Sequence, residues 1–215
     1  MNAHTERLLV TGPAGAIECA LDLPAEPPVG WLVVCHPHPQ HAGTMDNKVV
    51  QTVARAGLAL GLAAMRFNYR GVGASAGAWD DGRGEVDDAL AVIAATRDRF
   101  GTLPRFALAG FSFGGYVAAA AQAQLAPGLQ PQHLALVAPS TVKQVAPPVA
   151  EALRPQTLLI HGETDDVVPL AASFDWARPQ ALPVLVLPGV GHFFHGALHL
   201  LKAAVQRAWA VPAPQ

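Results

Sequence analysis

A chain of 215 residues with 51% hydrophobic and only 14% charged residues is rich enough in apolar surface to build its own core, which excludes a disordered, solvating protein. Fourteen basic against sixteen acidic residues leave a net charge of −2 with no clustered basic face, which argues against a nucleic-acid binder. Two cysteines, Cys19 and Cys35, are too few for a disulfide framework and read as reduced, buried thiols.

No secretory signal is visible across Met1–Val10, and low-polarity stretches such as Gly57–Met65 and Val117–Ala121 are too short to span a membrane. The expectation is a single cytoplasmic domain over residues 1–215. An opening pair of alternating segments, Arg7–Val10 and Ala16–Leu23, has no helix between and predicts antiparallel strands at one sheet edge. Beyond the Pro-rich piece Pro24–Pro28, short apolar runs recur at Trp31–Cys35, Ala63–Phe67, Phe106–Ala109, Leu134–Ala138, Thr157–Ile160 and Val184–Leu187. Continuous runs of this length suit parallel strands covered on both faces.

Helical patterns separate them. The first runs from Asn47 to about Leu60 with Asp46 as N-cap. The second repeats Val86, Ala89, Leu90, Ile93 and Ala94 on one face. An alanine-rich helix follows over Gly115–Leu125, and the last spans Phe193–Trp209 before the Pro-rich end Val211–Gln215. Alternation of this kind predicts a doubly wound, mostly parallel α/β sheet, whose ligand chemistry gathers beyond the carboxyl ends of its strands.

Two G-x-S-x-G patterns occur, around Ser75 and around Ser112. A nucleophile elbow needs a strand running straight into the serine and a helix leaving it, with glycines two before and two after so that the turn can close. Ser112 has the strand Phe106–Ala109 before it and the helix behind it. Ser75 opens onto the turn-rich Trp79-Asp80-Asp81-Gly82 and reads as a strand-exit loop. The same stretch fits a loose dinucleotide pattern, G-x-G-x-x-A, but opens no immediate helix.

A serine hydroxyl needs a base, and the base an orienting acid, which in such sheets follow in the order Ser, acid, His. After the strand Thr157–Ile160 comes His161-Gly162-Glu163-Thr164-Asp165-Asp166, and after Val184–Leu187 comes Gly191-His192. Spacing alone leaves Asp165 and Asp166 both open as the acid.

With His36-Pro37-His38-Pro39, Gly43-Thr44-Met45-Asp46-Asn47-Lys48-Val49-Val50, Arg66–Gly73, Gly84–Asp88, Gly110–Gly115, His161–Pro169 and Gly191–Phe194, the chain resembles the α/β-hydrolase superfamily. The likeness is closest to a small branch that lacks a cap domain. The resemblance implies Ser112 as nucleophile, His192 as general base, Asp165 as its orienting acid, and the backbone amides of His38 and Phe113 as the oxyanion hole. One departure is Ala42-Gly43, where such sequences often carry two glycines. Caps in this superfamily usually enter where this chain has only Pro139–Gln156, so an open site and small or short-acyl esters are expected, with Trp79, Phe111 and Val168 as pocket candidates.

The implied activity is a serine hydrolase of carboxylic esters, thioesters or lactones that needs no metal and no organic cofactor. Its expected partner is a small-molecule ester, with no nucleic acid and no membrane. Two rival readings stand beside it. The group His36, His38 and His41 follows a strand and approaches a zinc-hydrolase motif, with Gln40 where that motif has aspartate. A catalytically inactive binding protein on the same fold is the other. Arg70, Glu85 and Asp88 are expected to form a charged tie between a loop and the second helix rather than an acid–base set.

Overall fold

The computed structural model describes residues 5–210, so the Pro-rich end Val211–Gln215 lies outside the described residues. In chain order, β1 (Thr5–Gly12) and β2 (Gly15–Asp22) form the opening hairpin. They are followed by β3 (Gly30–Cys35), α1 (Lys48–Leu58), β4 (Leu62–Phe67), α2 (Arg83–Phe100), β5 (Arg105–Phe111), α3 (Phe113–Gln124), β6 (His133–Val137), β7 (Thr157–Gly162), α4 (Leu170–Ala177), β8 (Val184–Leu187) and α5 (Leu198–Trp209). One sheet results, in the order β1-β2-β4-β3-β5-β6-β7-β8. β1 pairs antiparallel with β2 and β2 antiparallel with β4, while every other pairing is parallel.

Alternation along the central strands feeds two cores. Trp31, Val33, Phe106 and Leu108 point to the face covered by α2 and α3. Leu32, Val34, Ala107 and Ala109 point to the face covered by α1 and α5. With both faces covered, each fully buried Leu, Val or Phe contributes roughly 1.5–3 kcal/mol, which is why these strands read as unbroken apolar runs. From β3 the chain steps to β4 on one side and then crosses to β5 on the other. The loops leaving β3 and β5 therefore diverge and leave a crevice at the strands' carboxyl ends, where such sheets bind ligands.

Local differences from the sequence expectation have identifiable causes. The N-cap of α1 is Asn47, whose Oδ1 accepts the Val49 N–H at 2.9 Å. Asp46 is instead drawn to Arg66 at 2.9 Å and Arg7 at 3.1 Å. α5 starts at Leu198 rather than Phe193 because Phe194 (φ 51°) and Gly196 (φ 72°) take left-handed backbone. The eight-residue α4 was not anticipated. Arg70 and Asp88 make the expected tie, with Nε and Nη2 gripping the carboxylate at 3.0 and 2.9 Å. Glu85 does something else: its carboxylate accepts the Asp80 and Gly82 amides at 3.0 and 2.8 Å and caps α2. Cys19 and Cys35 are free, and burial pushes both thiols up to about 12.

Candidate active site

The segment after β5 makes one sharp bend. Ser112 sits at φ 56° and ψ −119°, between the end of β5 and the first turn of α3. A side chain at Gly110 would bring a Cβ to 1.8 Å from the Gly114 carbonyl oxygen, and one at Gly114 would lie 2.2 Å from that of Cys35. The bend therefore closes only with glycine at 110, and the start of α3 lies against the end of β3 only with glycine at 114. It is pinned by Ser112 N–H donating to Val137 O and by Gly115 and Ser140 N–H donating to Ser112 O, all at 2.9 Å.

Opposite the bend, the loop after β8 brings His192 Nε2 to 3.1 Å from Ser112 Oγ. Its Nδ1 lies 2.7 Å from Asp165 Oδ2 in the loop after β7. A carboxylate only accepts, so Nδ1 carries the proton and Nε2 presents its lone pair to the serine hydroxyl. Asp165 Oδ1 accepts the Val167 and Val168 amides at 2.9 and 2.8 Å. Burial alone would raise the Asp165 carboxyl. Hydrogen bonds from His161, His192 and the Val168 amide overcome it and hold the group well below the usual carboxylate range. The neighbouring Asp166 is exposed.

The other polar candidates occupy framework positions. Ser75 Oγ donates to Asn68 O at 2.7 Å and accepts the Glu18 N–H at 2.9 Å, which ties a strand-exit loop to β2. His36 is fully buried, with Nδ1 2.6 Å from Pro37 O and Nε2 accepting the Tyr69 N–H at 3.1 Å. Both of its nitrogens are committed to backbone, so it cannot join His38 and His41 in a ligand set. Among the described residues no three His, Cys, Asp or Glu side chains are placed to hold a metal ion. The His38 and His41 rings lie tilted against each other with centroids 4.7 Å apart, and both border the crevice.

Two chambers meet at Ser112. One, of about 260 Å³, is walled by Thr141, Val142, Val168, Pro169 and Ala172. The other, of about 310 Å³, is walled by Pro37, Gly43, Asn47, His192 and Phe193. Lys143, Val167, His38 and His41 border both. Phe113 also lines the first chamber, and its amide opens α3, where the helix leaves N–H groups without carbonyl partners.

Of the three residues expected to form the pocket, Val168 lines a chamber. Phe111 is buried in the core beneath His192, with ring centroids 5.0 Å apart. Trp79 lies behind the chamber wall, its ring tilted against those of His38 at 4.6 Å and Phe113 at 5.2 Å. Sequence reasoning gave no role to His161, whose Nε2 lies 3.2 Å from Asp165 Oδ2. Its position at a strand end four residues before the acid was the available signal. Between β6 and β7 no domain is inserted, and among the described residues no helix is long and apolar enough to cross a membrane.

Comparison with known proteins agrees with this architecture. Residues 26–156 match the Hydrolase_4 family, serine aminopeptidase S33. That span includes Ser112 and stops before Asp165 and His192. The crystal structure of XC6422 from Xanthomonas campestris, a member of the α/β serine hydrolases without lid, superposes with a TM-score of 0.86 at 36% identity, covering 100% of this chain and 99% of that one. An α/β serine hydrolase homologue from Coxiella burnetii gives a TM-score of 0.83 at 37% identity, covering 95% and 97% of the two chains. An uncharacterized protein, RP471, from Rickettsia prowazekii (strain Madrid E) is 36% identical over 112 residues, 52% of this chain; the match spans about half, 47%, of that relative's length. The chain belongs to the Hydrolase_4 (serine aminopeptidase S33) family and has the lidless α/β serine hydrolase fold.

Proposed function

We propose that this protein is a serine esterase that cleaves small or short-acyl carboxylic esters through a covalent acyl-enzyme. The observation that carries this reading is the unbroken path from Ser112 Oγ to His192 Nε2 at 3.1 Å and from His192 Nδ1 to Asp165 Oδ2 at 2.7 Å. In the proposed reaction His192 takes the Ser112 proton as the hydroxyl attacks the ester carbonyl, and Asp165 stabilises the imidazolium. The Phe113 and His38 amides receive the oxyanion, each donor worth about 3 kcal/mol. His192 then returns the proton to the leaving alcohol and activates the water that frees the acid.

Chamber geometry orients the substrate. The leaving oxygen must come within reach of His192, which lines the 310 Å³ chamber and not the other, so the alcohol leaves on that side. The acyl group then occupies the 260 Å³ chamber, whose Val142, Val168, Pro169 and Ala172 wall suits a short apolar chain and is smaller than the pockets of drug-sized ligands. An aminopeptidase has to hold a free α-ammonium group. The walls of both chambers carry Lys143 and no carboxylate, which favours an ester over a peptide N-terminus.

The test is fluorophosphonate labelling together with turnover of nitrophenyl acetate, nitrophenyl butyrate and alanine nitroanilide. Wild type and Ser75→Ala should label and hydrolyse both esters in preference to the anilide, with or without chelator. Ser112→Ala should lose labelling and at least about 10³-fold in kcat. Turnover lost to chelator and restored by zinc, or no labelling and no turnover by wild type, would overturn the reading.

A further inference from the structure

The mechanism above uses Asp165 through one of its contacts, the hydrogen bond with His192. A second imidazole stands behind it. His161, fully buried near the end of β7, has Nε2 2.8 Å from Val168 O and 3.2 Å from Asp165 Oδ2, and Nδ1 2.9 Å from Ser173 Oγ. A carbonyl oxygen can only accept, so the Nε2 proton is present and directed at Val168 O, with the carboxylate 3.2 Å from the same nitrogen. Nδ1 is then a lone pair and accepts the hydroxyl proton of Ser173, itself fully buried on α4. Both ring nitrogens are fixed, one by the acid loop and one by a helix.

We infer that His161, held by Ser173, is a positioning residue for catalysis: it shares the Asp165 carboxylate with His192 and thereby sets the basicity of His192. Oδ2 faces both imidazoles, hydrogen-bonded to His192 Nδ1 and 3.2 Å from His161 Nε2, and Oδ1 receives two amides. Val168 closes the arrangement, since its N–H binds Asp165 Oδ1 while its carbonyl binds His161. Among the described residues the charged or titratable groups at ion-pair distance from Asp165 are His192, from the loop before α5, and His161, from β7. α4 contributes only the neutral Ser173 to the His161 ring. Each donor on the carboxylate disperses its charge and weakens its pull on the His192 proton. Removing the His161 donor concentrates that charge on the oxygen facing His192, stabilises the imidazolium, and raises the pH at which the base becomes free. In metal sites, partners in the equivalent outer position change affinity or activity by about 10–100-fold, and an effect of the same order is expected here.

This inference rests on the esterase reading, so its test includes a measurement that needs no turnover. Three variants serve: His161→Phe, which removes both bonds; His161→Gln, which can restore a donor toward Asp165; and Ser173→Ala, which frees the ring. Rates are normalised to active sites counted with a fluorophosphonate. His161→Phe should lose about 10–100-fold in kcat with KM within about twofold. The acid limb of its kcat/KM profile should move to higher pH, with partial recovery in His161→Gln and a smaller displacement of the same sign in Ser173→Ala. NMR titration of the His192 ring C–H in Ser112→Ala, with and without the His161 substitution, should show the same upward displacement even if no ester is turned over. Should His161→Phe fail to fold, the other two variants decide. An unmoved acid limb and an unmoved His192 titration in every folded variant would overturn the inference, whatever the loss of stability.

Discussion

The imidazole of His36 accepts the Tyr69 backbone N–H at 3.1 Å and donates to its neighbour's carbonyl, Pro37 O, at 2.6 Å. Burial pushes its proton affinity down to about 3. In the unfolded chain the same side chain titrates near its ordinary value of about 6.5. Between those two values the unfolded state binds the extra proton, so the stabilisation is complete above about pH 6.5 and is lost progressively as pH falls toward 3. Urea unfolding of wild type should therefore weaken between pH 6.5 and pH 5 with a slope of up to about 1.4 kcal/mol per pH unit in excess of that of His36→Gln. Equal slopes in the two proteins would show that the buried ring does not govern this part of the acid sensitivity.

The loop that carries His38 turns on two adjacent small residues with opposite tolerances. Ala42 holds φ 58°, in the left-handed region that glycine adopts freely. A Cβ on Gly43 would lie 2.1 Å from Pro37 O and 2.6 Å from His38 O. Ala42→Gly should be neutral or stabilising by up to about 1 kcal/mol, since relief of the left-handed strain is partly offset by unfolded-chain entropy. Gly43→Ala should displace the His38 peptide and lower kcat/KM by roughly tenfold or more, the loss that misplacing the proposed oxyanion donor would bring. Ester turnover and thermal melts of the two variants, measured side by side, check the contrast.

Arg70 and Asp88 link the loop after β4 to α2. The side chains are 12% and 1% exposed, and the Arg70 backbone N–H joins the grip at 2.9 Å. Removing one partner strands the other charge in the interior, at a cost of about 3 kcal/mol. Arg70→Ala should lower the denaturation midpoint with little change in m value. Its kcat per titrated active site should stay within about twofold of wild type, since neither residue lines a chamber.

Much of this molecule is written in short-range pattern, and the departures show where pattern stops. The central strands were legible because both of their faces are covered, and the Val184–Leu187 run coincides with β8. The elbow was legible because Gly110, Ser112 and Gly114 fall in one short pattern between a strand and a helix, although the contact that requires Gly114 is with Cys35 on β3. α4 was not: in eight residues it buries only Ser173 and Ala177, too few to make a periodic stripe. Asp46 and Asn47 are both good caps, and a distant arginine on β4 decided between them. Phe111 and Trp79 were misplaced because an aromatic residue beside a nucleophile can face the chamber or the core, and only the packing of His192 and His38 settles which. The contacts of His161 join β7, the acid loop and α4, a meeting that no local spacing encodes.

Ser112 follows β5, which has neighbours on both sides, whereas Asp165 and His192 follow β7 and β8, the last two strands at one margin of the sheet. β8 is four residues long, with no residue fully buried. Fraying begins where strands are short and paired on one side only. Mild heating or low denaturant would thus dismantle the proposed proton path while the central wall still stands, which would make loss of ester turnover an earlier alarm of damage than loss of total β structure.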